Sequence, residues 1–169
     1  MRWPCSRAGL DDERALITLY NQHYSFLVRL TALLVGDTSS AEQIVQDSFV
    51  AVRQARRRPD SDTVSYLRQA VVTRSRSTLR HRPLAGRSAA GPARTGVGRH
   101  AMTSLEDQTL ISVLRELPAR QREVIVLRYY SDLTDAQIAA AVGISRAAVK
   151  SHTAKAAASL HAVLDDRQQ

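Results

Sequence analysis

The sequence predicts an all-α protein made of two small helical domains joined by a flexible linker. Three observations lead there. Apolar residues recur at spacings of three and four along most of the chain, the period of a helix with one buried face. Aromatic residues make up only 5%, Ala is abundant, and no long run alternates β-branched with polar residues, so strands are disfavoured. Residues 82–104 gather Pro83, Gly86, Gly91, Pro92, Gly96 and Gly98 with almost no bulky apolar side chain, the composition of a linker. With 44% hydrophobic residues in 169, each flank of that linker has the material for a small core. The expected organisation is a first domain over 10–82, a linker over 83–103 and a second domain over 104–165.

The first domain reads as three helices. Leu16, Leu19, His23, Leu27, Leu30 and Leu34 lie on one face of a long helix from about Asp11 to Val35, which Gly36 stops. Ser39 and Glu42 have the capping-box spacing for a second helix, with Val45, Phe49 and Val52 inward. That helix is expected to run into Arg56, Arg57 and Arg58 and to end at Pro59. A third is expected from about Thr63 to His81, with Leu67, Ala70, Val71, Arg74 and Thr78 on one face.

The second domain reads as four. Thr103 and Glu106 offer a cap for a helix carrying Leu110, Leu114 and Leu117; Pro118 interrupts it and suits the first turn of the next, whose core residues are Val124, Leu127 and Tyr130. Thr134 with Gln137 is a further capping box, opening a short helix to about Ala141. Val142-Gly143-Ile144 is a tight turn, and Ser145 caps a last helix from Arg146 to about Leu164.

Charge points to a polyanion. The formal net charge is +8. Residues 1–81 carry twelve Arg and eight acids, residues 82–104 add Arg82, Arg87, Arg94 and Arg99 without an acid, and residues 105–169 balance. Such a basic half and connector suit nucleic acid, although a solubilising surface charge reads the same way. All bases but Lys150 and Lys155 are Arg, the better reader of phosphates and base edges, and a GC-rich genome gives the same bias. The single Cys5 rules out an internal disulfide and a cysteine-rich metal site. Met1 to Leu10 hold no apolar signal core, and no run approaches the roughly 20 apolar residues of a membrane span, so a cytoplasmic protein is expected. Neither a phosphate-binding glycine loop nor a nucleophile elbow occurs, and His23, His81, His100, His152 and His161 are scattered. The expectation is a non-enzyme without cofactor, metal or small-molecule substrate.

The sharpest signal is at 134–153. A helix-turn-helix needs a small residue where its helices meet, a residue tolerant of unusual backbone angles four positions later, and apolar residues around both. Ala139, Gly143 and the set Ile138, Val142, Ile144 and Val149 meet these demands. The second helix of such a motif enters the major groove by its N-terminal end. The candidate readers are therefore Ser145, Arg146, Lys150, Ser151 and Thr153, with Lys155 further along; Arg146 and Lys150 lie one turn apart. An ordinary helical hairpin is the plain alternative.

The stretch from Leu114 to Tyr130, with Ala139, Gly143-Ile-Ser and Val149-Lys-Ser-His-Thr, resembles region 4 of extracytoplasmic-function sigma factors, the small group IV members of the sigma-70 family. Ala41-Glu-Gln-Ile-Val-Gln-Asp-Ser-Phe-Val resembles region 2 of that family, and Tyr66-Leu-Arg-Gln-Ala-Val-Val its promoter-melting helix. The resemblance covers about 12–164 and looks nearest to actinobacterial members. It implies a factor that binds core RNA polymerase at the β′ clamp and the β flap and directs initiation at promoter DNA. By the same resemblance, Gln46, Asp47 and Phe49 would dock on the clamp. Arg56, Arg57, Arg58, Tyr66 and Arg74 would contact the −10 element, and the helix after Ser145 would read the −35 element. Tyr66 stands where many members have Trp or Phe. An anti-sigma protein is a partner the family often uses. A response-regulator-like factor with a similar C-terminal motif is the rival reading; it would need a strand-containing receiver, and residues 1–81 show no such strands.

Overall fold

The computed structural model describes residues 7–55, 61–81 and 105–166, all of them in helices or the short turns between helices. The first unit is α1 (Arg7–Val35), α2 (Thr38–Gln54) and α3 (Ser61–His81). Gly36 ends α1 at φ +86, a left-handed angle that suits glycine, and its N–H donates to the Ala32 carbonyl at 2.8 Å. The cap of α2 is Asp37, not the expected Ser39: its carboxylate accepts from the Ser40 N–H at 2.7 Å. The turn at Gly36 is so tight that the next residue already stands in extended geometry, and Asp is as good a cap as Ser. At its other end α2 stops at Gln54, with Ala55 as C-cap, earlier than expected. Arg56, Arg57, Arg58 and Pro59 lie outside the described residues, as do Cys5, Thr103 and the linker expected at 83–103.

In α3 the buried residues are Thr63, Leu67, Val71, Val72 and Ser75, whereas Arg74 is exposed. The inward face is rotated from the expected one because α3 meets α1 and α2 on one side and the second unit on the other. Leu27, Val28, Ala32, Val45, Phe49, Val52, Leu67 and Val71 form the first core. The buried hydroxyls of Thr31, Ser48 and Ser75 each donate to the carbonyl four residues back, at 2.6–2.7 Å, so none costs an unmet hydrogen bond.

The second unit is α4 (Leu105–Glu116), α5 (Ala119–Tyr129), α6 (Asp135–Val142) and α7 (Arg146–Asp166). Pro118 is the residue immediately before α5. Leu110 turns outward at 42% exposure instead of joining Leu114 and Leu117 in the core.

The two units share one core. Leu30, Leu33 and Leu34 of α1 and Val72 of α3 are each at most 2% exposed and cluster with Leu114, Leu117, Val124, Leu127, Ile138, Val142 and Val149. Polar contacts frame this seam. Arg29 pairs with the buried Asp107, and Arg76 Nε lies 3.1 Å from Glu123, a buried carboxylate that also holds Arg120 at 2.9 Å. Phe26 stacks on Tyr130 with ring centres 5.1 Å apart and planes 10° from parallel. Arg68 lies over the Phe26 ring and Arg29 over the Tyr130 ring, 5.5 and 5.7 Å from their centres. Burial raises the Tyr130 hydroxyl pKa, partly opposed by Arg29.

Candidate nucleic-acid interface

The helix-turn-helix forms where the spacing predicts it. Thr134 and Gln137 close a full capping box at the start of α6. Gly143 ends α6 in the left-handed region at φ 71, and the N–H groups of Gly143 and Ile144 both donate to the Ala139 carbonyl, at 2.9 and 3.1 Å. Ser145 Oγ then accepts from the Ala148 N–H at 3.1 Å and starts α7. Ile138, Val142 and Val149 are fully buried between the two helices. Arg128 of α5 pairs with Asp135 in the first turn of α6, where a carboxylate also suits the helix dipole. These interactions fix α7 on its support by one side only.

The other side of α7 is open. Ser145, Arg146, Lys150, Ser151 and Lys155 are all exposed. At about 100° per residue, Ser151 lies, of these, nearest the middle of the arc opposite Val149 and Ala156, with Lys150 and Lys155 to either side and Arg146 at one edge. Thr153 does not join them. It is half-buried and its hydroxyl donates to the Val149 carbonyl at 2.9 Å, because position 153 falls on the same side of the helix as the buried Val149 and Ala156. His152 is also half-buried, with Nδ1 lacking a hydrogen-bond partner.

In the first unit Gln46 and Asp47 are exposed on α2, and Asp47 accepts from Gln43 Nε2 at 2.9 Å. Phe49 is not on that surface. At 6% exposure it sits in the core, its ring edge-on to Tyr20, which in turn stacks on Tyr24. The apolar residues that do reach solvent there are Ile17 and Val50, beside a shallow hollow of about 220 Å³ floored by Leu16, Tyr20 and Phe49. Sequence reasoning missed both; the signal was an apolar residue standing off the core stripe of each helix. Tyr66 of α3 is half-buried against the first core, and Arg74 is exposed. A larger apolar groove of about 430 Å³ runs between α1, α4, α5 and α7, lined by Leu33, Leu110, Leu114, Ile125, Tyr129 and Leu160 among others.

Residues 107–160 match the family described as "Sigma-70, region 4". The chain is 27% identical over 168 residues to the ECF RNA polymerase sigma factor SigL of Mycobacterium tuberculosis, covering 95% of each. It is 28% identical over 138 residues to the probable RNA polymerase sigma factor RfaY of Xanthomonas campestris, of whose length it spans about a third, 34%. Its fold superposes on CnrH, solved in complex with the cytosolic domain of CnrY, with a TM-score of 0.65 and 28% identity over 91% of this chain and 90% of that one. The chain is thus similar to RNA polymerase sigma factors over most of its length, and over 107–160 to region 4 of the sigma-70 family. RpoE, solved with the anti-sigma factor NepR from Bartonella quintana, shares the fold at a TM-score of 0.65 and 23% identity over 92% and 97%. The matched segment takes in nearly all of α4 to α7. Sigma factors are DNA-recognition subunits and carry no catalytic centre of their own.

Proposed function

We propose that this chain binds core RNA polymerase and directs it to promoters, with α7 reading the −35 element and the first unit, residues 10–82, taking the −10 element. The observation that carries the reading is the open arc of α7. Two cations and two hydroxyls, Arg146, Lys150, Ser145 and Ser151, stand at the groove-entering end of a helix whose opposite side is locked by Ile138, Val142 and Val149. Lys155 extends the arc toward a phosphate, and Thr153 supports the helix from within. In the first unit the exposed Gln46 and Asp47, with Ile17 and Val50 nearby, serve as the dock for the β′ clamp. Tyr66 and Arg74, with Arg56, Arg57 and Arg58, take the −10 strand. The apolar groove beside α5 suits a helix of the β flap. The reading also carries an anti-sigma protein as a partner, a cytoplasmic site of action and kinship with actinobacterial members.

The test is run-off transcription with core polymerase on a promoter library randomised at both elements. Enrichment of a defined −35 sequence that Arg146→Ala alters supports the reading; transcription independent of added protein overturns it.

A further inference from the structure

We propose that Ala147 and Ala154 are specificity-determining residues of α7, and that they read base pairs of the −35 element through the C5-methyl groups of thymine. This deepens the promoter reading and rests on it.

The rotation of α7 is fixed by its packing. Val149 and Ala156 are fully buried, and the Thr153 hydroxyl is turned back onto the Val149 carbonyl at 2.9 Å. At about 100° per residue, the middle of the open arc falls about 10° from Ala147 and about 30° from Ser151 and Ala154. All three residues are exposed. Lys150 and Lys155, also exposed, stand about 70° from the middle on opposite sides. Ala147 and Ala154 are about 10.5 Å apart along the helix axis, the rise of about three base pairs. A helix seated in the major groove by this face sets one lysine against the phosphates of each wall. It turns two methyl groups and one hydroxyl to the base edges.

That arrangement limits how bases can be told apart. Bidentate recognition of a purine from the middle of the arc takes a long side chain such as Arg, Asn or Gln, and none occurs from Ala147 to Ala158. Arg146 lies about 110° from the middle, so its reach is to the side. Gln137 of α6 is held in its capping box, where Oε1 accepts from both the N–H and the hydroxyl of Thr134 at 2.9 Å. The Ser151 hydroxyl suits any base edge and discriminates little. What remains at the centre is apolar, and the apolar group that a base pair offers in the major groove is the thymine methyl. Side chains this short also let the helix backbone approach closely enough for methyl to meet methyl.

The experiment uses core polymerase with the full chain, on the best −35 sequence from the transcription library. Each thymine of that element is replaced in turn by uracil, which keeps every hydrogen bond and lacks only the methyl. Binding should weaken about fourfold at one or more positions, the effect of one buried methyl. Ala147→Gly and Ala154→Gly should each bring the thymine-to-uracil ratio close to one at a single position. Each variant is compared with itself on two DNAs, so a loss of helix stability from glycine cancels in the ratio. Uracil substitutions that all stay within twofold overturn the proposal, as does a ratio that survives both glycine substitutions or a preferred −35 element without thymine. These results leave the promoter reading standing, whereas a library that enriches no −35 sequence removes the promoter reading and the proposal together.

Discussion

The two units carry their candidate surfaces in opposite ways. In the second, one helix presents the whole arc, and the caps and turn that set it lie between Arg128 and Ser145. In the first, the candidate residues are spread over α1, α2 and α3, and some lie on helices whose other faces serve two cores. A surface built from one locally capped helix tolerates changes elsewhere in the chain. A surface assembled from three helices inherits every shift in their packing.

That contrast can be broken at its base first. Ile138→Ala empties a fully buried position under α7, and should cost about 2–5 kcal/mol. Because Ile138 shares its cluster with Leu30 and Leu34, denaturant unfolding should remain one transition, displaced as a whole. Two transitions, only one of them moved, would show that the units melt separately.

In the first unit the comparable probe is Asp47→Arg. Asp47 is exposed, so the fold should hold while polymerase binding weakens by about 2–5 kcal/mol if the charge faces the clamp. Unchanged pull-down of core polymerase would take α2 out of the dock.

A finer test divides the α7 arc. Arg146→Ala should cost about 1–3 kcal/mol and relax preference at one base pair. Lys150→Ala should weaken binding to all sequences alike and lower the salt slope by about one unit. Transcription from −35 point mutants at several salt concentrations separates the two, and identical profiles would mean that neither side chain reaches a base edge.

The smallest effect concerns Tyr20. Burial, then the charge and hydrogen bond of Tyr24, then Glu42, push its hydroxyl pKa up from 10.0 to about 12. The folded state thus favours the neutral phenol. Its contribution is complete below pH 10 and is lost as pH rises from 10 toward about 12. Tyr20→Phe keeps the ring against Tyr24 and Phe49, so thermal scans across that range should fall less steeply for the variant; equal slopes would assign the alkaline loss to other tyrosines.

What could be read in the sequence divides along the same line. The helix-turn-helix was legible because its demands are local: a small Ala139, a left-handed Gly143 and caps at Thr134 and Ser145 act over a few residues, and all were found as expected. The seam was not legible, because a single-stripe reading of α1 assumes one neighbour. The run Leu30 to Val35 is apolar nearly all round, which signals burial on every side, and the structure buries all six residues. Phe49 was placed on the dock by the family resemblance alone; the Val45, Phe49 and Val52 stripe had already put it inward, which is where the structure has it. Asp37 was passed over because Ser39 two residues later has the same capping chemistry, and only the geometry after Gly36 chooses between them.

Gly36 itself ties the units together in a second way. A Cβ built there would stand 2.8 Å from Cγ and 2.9 Å from Cδ of Arg115, a side chain of α4. The residue that stops α1 is therefore also the point against which an arginine of the other unit lies. Replacing it by alanine combines a backbone penalty, present in any context, with a crowding penalty that exists only while Arg115 is pressed against it. The two substitutions Gly36→Ala and Arg115→Ala are thus expected to be non-additive, with the second partly relieving the first. The part relieved belongs to the meeting of the two units, and the remainder to the turn alone.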